Sequence, residues 1–141
     1  MATIIAIILF LIFLFLSLIH FYWLFNGRWG SQAVFPTKTN NVKTKMPGVI
    51  PTLIVAIGLL ASGLFVLVKA GQLNFSIPLW LNKYGLWIIA TVFILRAIGE
   101  FNYLGFFKKI KNTQFGQNDT KYYSPLCLII GILTIIMVLC K

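Results

Sequence analysis

Four long apolar runs govern what this chain can become. Ile4 to Phe25 is broken only by Ser17 and His20, and it is followed by Ile50 to Ala70, Trp80 to Gly99 and Ser124 to Cys140. Each is close to the roughly 20 residues that carry a helix across about 30 Å of hydrocarbon, and none alternates at period two as a barrel strand does. The expectation is an all-α polytopic membrane protein with four transmembrane helices. Its connections are short, so successive spans reverse direction and form an antiparallel four-helix bundle, one membrane domain over residues 1–141. The first run lacks a basic stretch before it and a small-x-small site after it, and it is too long for a cleaved signal, so it is expected to stay as a span.

Composition closes the other routes. The chain is 60% hydrophobic and only 10% charged, too little charge to cover a soluble domain of this length. The same balance excludes a disordered chain, a disulfide scaffold and a two-domain nucleotide-dependent enzyme. Twelve Lys and Arg face two acids, for a net charge of +10. In a soluble protein that excess would suggest nucleic acid; beside membrane spans it points to anionic lipid head groups as partners, at about 1 kcal/mol per basic residue, with no nucleic acid implied. Cys127 and Cys140 are thirteen residues apart, roughly 20 Å along a helix, too far for a disulfide.

Basic residues also set direction. Segment 26–49 holds Arg28, Lys38, Lys43 and Lys45, and segment 100–123 holds Lys108, Lys109, Lys111 and Lys121, whereas segment 71–79 has only Lys69 and Lys83 at its edges. The positive-inside rule places both long loops in the cytoplasm and both termini outside. Trp80 and Asn82 to Tyr84 then belong to an outer interfacial belt, and Trp23 and Trp29 to an inner one. Pro51 fits the first turn of the second helix, whose Ala56, Gly58, Ala61, Ser62 and Gly63 permit close packing. Ser124-Pro125 marks the start of the fourth.

With this orientation every strongly polar candidate falls near the cytoplasmic side. Arg96 and Glu100 stand at i, i+4 and can pair on one helix face, either as a structural ion pair or as an anion-facing Arg held by its carboxylate. His20 precedes Phe21, Tyr22 and Trp23; it is either a packed, hydrogen-bonded imidazole or a proton carrier, and it has no second ligand at metal spacing. Asp119, in Gln117-Asn118-Asp119-Thr120, reads as a loop or helix cap. Three ionisable groups within spans need partners, which predicts that His20, Arg96 and Glu100 meet in one inward-facing cavity. There is no Gly-rich phosphate loop, nucleophile elbow or Cys-x-x-Cys, so no cofactor is implied.

Four groups of residues carry a resemblance. They are His20-Phe21-Tyr22-Trp23 with Gly27, Trp29-Gly30 and Pro36; Pro51-Thr52; Leu95 to Glu100 with Tyr103 and Gly105; and Thr113-x-Phe115, Asp119 and Tyr123 to Leu128. In this order they resemble the small bacterial four-helix integral membrane proteins grouped only as a domain of unknown function, over nearly the whole chain. That family typically has Asp where this chain has Glu100. The resemblance implies a fold and a membrane location but no activity, and it marks His20, Trp23, Arg96, Glu100, Asp119 and Tyr123 as candidate ligand-binding residues.

Three functions compete. One is a non-enzymatic protein of the bacterial plasma membrane that binds a lipid head group or small amphiphile in a cytoplasmic-side pocket. Another is a membrane-embedded enzyme on a lipid-like substrate, with His20 as acid or base and Glu100 or Asp119 as its partner. The third is a transporter or channel subunit, for which the outer half supplies no evident polar path.

Overall fold

A computed structural model describes residues 1–25, 48–99, 105, 107–109 and 112–140. The described chain is helical, with no strand: α1 (Ala2–Leu24), α2 (Val49–Lys69), α3 (Leu79–Ile98), a short α4 (Gln114–Asn118), a π-helical segment (Asp119–Tyr123) and α5 (Ser124–Leu139). Among the described residues four helical stretches are long and apolar enough to cross a membrane, the fourth running unbroken from Gly116 to Leu139.

The helices fall into two compact units. The first contains α1, α2, α3 up to Ala90 and α5 from Leu133; the second contains α3 from Thr91, α4, the π segment and α5 up to Ile132.

In the first unit α1 buries Ala6, Leu9, Phe13 and Ser17, three or four residues apart and therefore on one stripe. The opposite side of α1, with Leu11, Phe15 and Leu18, is exposed, as expected of a surface turned to lipid. α2 answers with Thr52, Ala56, Gly63 and Val66. Ser17 Oγ donates to the Ala56 carbonyl at 2.8 Å, while a Cβ on Gly63 would stand 3.2 Å from both Phe10 and Phe13. Higher numbers on α2 thus lie beside lower numbers on α1, and the two helices are antiparallel. α2 and α3 also meet within this unit. Gly85 lies under the Phe65 ring, and Lys69 Nζ reaches the Asn82 carbonyl at 2.9 Å and Oδ1 at 2.6 Å.

Hydroxyls in apolar surroundings need acceptors. Thr52 donates to the Gly48 carbonyl and Ser62 to that of Gly58, one turn back on their own helix. α2 stops in a Schellman motif. Gly71, at φ 75, turns the chain, and the amides of Gly71 and Gln72 bond the carbonyls of Val68 and Leu67.

The α-helix of the fourth run begins at Ser124 as expected, and the helical stretch extends further back, to Gly116. Pro125 has no N–H and its ring crowds the carbonyl one turn earlier, so a straight α-helix through it would be broken. The chain instead widens just before the proline. The Ser124 amide bonds the Asp119 carbonyl, five residues back, and this π adjustment lets the helix continue through Pro125 from Gly116.

Gly63→Leu should force α1 from α2 and cost about 1–3 kcal/mol, seen as a lowered Tm in detergent micelles. Gly58, where an added Cβ would meet nothing within 4 Å, should accept Ala with Tm unchanged or raised. Equal Tm for Gly63→Leu and the parent chain would contradict this packing.

Candidate functional site

The polar centre of the second unit forms where the end of α3, the residues around Lys108 and the start of the fourth span supply side chains. α3 closes at Ile98, and Gly99 follows at φ 84, its amide bonded to the Leu95 carbonyl at 2.8 Å. This leaves Arg96 in the last turn. Thr113 Oγ1 accepts from the Gly116 amide at 3.0 Å, capping α4. The π segment then begins at Asp119.

Asp119 is fully buried, yet four donors converge on its carboxylate. Oδ1 accepts from Arg96 Nη2 at 2.9 Å. Oδ2 accepts from the Gly105 amide at 2.7 Å, Lys108 Nζ at 3.0 Å and Ser124 Oγ at 3.2 Å. The last contact depends on the π geometry, because a five-residue return stacks Ser124, rather than Tyr123, over Asp119. Gly105 cannot carry a side chain here: its φ is 84 and a Cβ would collide with the Ile98 carbonyl.

Lys108 and Arg96 differ in kind. The Lys108 ammonium is fully buried and all three of its protons have acceptors: Asp119 Oδ2, the Gly105 carbonyl at 2.9 Å and Thr120 Oγ1. Thr120 passes the chain on to the Gly116 carbonyl at 3.2 Å. The Arg96 side chain is 29% exposed, and its Nη1 is buried with no hydrogen-bond partner among the described residues. Lys108 is therefore a closed structural cation, whereas Arg96 keeps donor capacity. Among the described residues, two cations around one carboxylate leave one positive charge in excess.

Of the residues marked from the sequence, the structure brings Arg96 and Asp119 together. Tyr123 lies in the same π segment and is part-buried. His20 and Trp23 belong to the first unit, where Nδ1 of His20 bonds the Leu16 carbonyl at 2.7 Å and the ring meets Trp23 edge-on with centroids 5.2 Å apart. Glu100 lies outside the described residues, and with it the expected Arg96–Glu100 pair and the three-residue cavity. Asp119 is more than a cap, for its side chain is the acceptor of the whole cluster. Sequence reasoning did not mark Lys108, Gly105, Thr120 or Ser124 as site residues, although Gly105 and Ser124 stand among those that carry the resemblance, and it counted Lys108 only as a topological charge. The available signal was the scarcity of acids: with two carboxylates for twelve bases, each acid near the spans is contested by cations. No group of three His, Cys, Asp or Glu that could hold a metal exists among the described residues.

The model of a family described as a protein of unknown function (DUF3995) matches residues 13–134, a stretch that includes Arg96, Lys108 and Asp119. No curated protein and no solved structure matches the chain.

Asp119→Asn keeps shape but strands two cations, and should cost about 3–5 kcal/mol of stability. Ser124→Ala removes one neutral donor and should cost about 1 kcal/mol. Thermal unfolding of both variants in the same detergent checks the order; a Ser124→Ala loss equal to that of Asp119→Asn would contradict the assignment.

Proposed function

The chain belongs to this family of proteins of unknown function, and from that premise we propose that it is a non-enzymatic integral membrane protein whose Arg96 holds the anionic head group of a lipid or small amphiphile. The observation that carries the reading is the state of the guanidinium. Nη2 is fixed by a buried carboxylate while Nη1 has no acceptor among the described residues. A buried N–H without a partner costs about 1–3 kcal/mol, so an oxyanion that reached Nη1 once its cover moved aside would recover what the described residues leave unsatisfied. Arg suits this role because its planar fork can bind one carboxylate and still offer its other edge to a phosphate.

The surroundings support an amphiphile. Exposed Val92 and Leu95 lie beside Arg96 on α3, and exposed Tyr122 and Lys121 lie on the π segment. Lys109 and Lys121 add a diffuse positive field to the same unit. In this reading the membrane is the bacterial plasma membrane, the site faces its cytoplasmic leaflet and both termini are outside, as the loop charges imply. The enzyme reading centres on His20, whose Nδ1 is engaged by its own helix and whose ring packs on Trp23; that arrangement favours a packed residue.

Native mass spectrometry of the protein released from mild detergent tests the proposal. Anionic lipid should remain bound to the parent chain, and Arg96→Gln should lower its occupancy about tenfold, equivalent to about 1.4 kcal/mol. Arg96→Lys, which keeps charge and loses the fork, should fall in between. Bound lipid that is absent, or unaffected by Arg96→Gln in protein that still unfolds cooperatively, would overturn the proposal.

A further inference from the structure

The connection between α2 and α3 is closed at its base and apolar at its surface. Lys69 Nζ, at the end of α2, bonds both the carbonyl and Oδ1 of Asn82 in the first turn of α3, and Gly71 turns the chain between them. What this hairpin presents is unlike a loop in water. Leu73, Phe75, Leu79 and Trp80 are 41, 76, 87 and 61% exposed, and a surface that gathers such side chains meets a membrane or another protein. We infer that the turn is an interfacial anchor whose partner is the lipid surface itself. Its apolar side chains lie at the boundary of head groups and acyl chains, while Lys83 stays level with the phosphates. Residues 70–78, folded back on themselves, reach no more than about 15 Å from the helix ends, which keeps the turn beside that surface.

Continuity, side-chain chemistry and charge choose lipid over a protein. Along α3, Trp80, Tyr84 and Trp87 follow at steps of four and three on one exposed face, whereas Gly85 lies under the Phe65 ring and Leu86 and Ala90 are buried. α3 is long and apolar enough to cross a membrane, so the exposed stripe is the one a bilayer covers, and it runs without a break into the turn. Trp and Tyr settle where one end of the ring is wet and the other apolar. Lys83 Nζ lies 5.3 Å from the centre of the Tyr84 ring, and a lysine at this level can rest its stem on apolar surface while its ammonium stays among head groups. From Lys69 to Tyr84 the sequence has lysines at both ends and no acid, a charge that complements membrane phosphates. None of this involves Arg96, so the anchor stands apart from the reading above.

Spin-label accessibility tests the anchor in the full chain, reconstituted into vesicles of phosphatidylcholine and phosphatidylglycerol. Cys127→Ala and Cys140→Ala remove the native thiols, and a nitroxide is attached at Phe75→Cys in one sample and at Leu79→Cys in another. Both replaced side chains are largely exposed, so neither label removes a packed one. Oxygen concentrates among acyl chains and the chelate NiEDDA stays in water, so the expected readout is an excess of oxygen over NiEDDA collisions at both positions. An excess of NiEDDA collisions at either position puts the turn in water and overturns the inference. Low collision with both reagents puts the turn under protein and overturns it in favour of a second copy or another chain. Dilution of the protein in lipid then tells those two apart, since only contact between copies is lost.

Discussion

Asp119 has no exposed surface, and a carboxylate in that position persists in its charged form only where donors replace water completely. Here an Arg, a Lys, a backbone amide and a serine hydroxyl do so. Together they tie the end of α3, Gly105 and Lys108, and the start of the fourth span to one side chain. The chain has two acids in all. Among the described residues no other carboxylate can take its place, which is why the cluster is a structural necessity before it is a candidate site.

The π segment follows from the same constraint joined to a second. Pro125 removes a helical donor, and the widened turn before it both accommodates the proline and brings Ser124 over Asp119. Gly105 completes the arrangement from the other side, where its left-handed backbone and the nearby Ile98 carbonyl admit no Cβ. The proposed function uses what the cluster leaves over among the described residues. Lys108 is wholly engaged, and Arg96 is not.

The spans were legible because a bilayer demands contiguous apolar residues, and α1, α2 and α3 begin and end within a few residues of the runs that predict them. Arg96 was legible as well, since a guanidinium within a span must be held by something. Its partner Asp119 was not. Gln-Asn-Asp-Thr has the local chemistry of a turn, and the contact joins residues 23 apart in sequence, which no helical period encodes. Lys108 was hidden among neighbouring lysines for the same reason: whether a basic residue faces solvent or a buried carboxylate is decided by chain folding around Gly105 and not by composition. The α-helix of the fourth run begins at Ser124 as its sequence predicts, but the helical turns that extend it back to Gly116 were not legible, because Pro125 reads locally as a first-turn residue.

The central claim is that Asp119 and its cations form one energetic unit. A double-mutant cycle on Lys108 and Asp119 tests it directly, using Lys108→Met, Asp119→Leu and the pair together, with unfolding free energies measured in one detergent. Each single variant should be strongly destabilised because it strands a buried charge, and the double variant should be more stable than either single one, with a coupling above about 2 kcal/mol. Single losses that add to within about 0.5 kcal/mol in the double variant would contradict it.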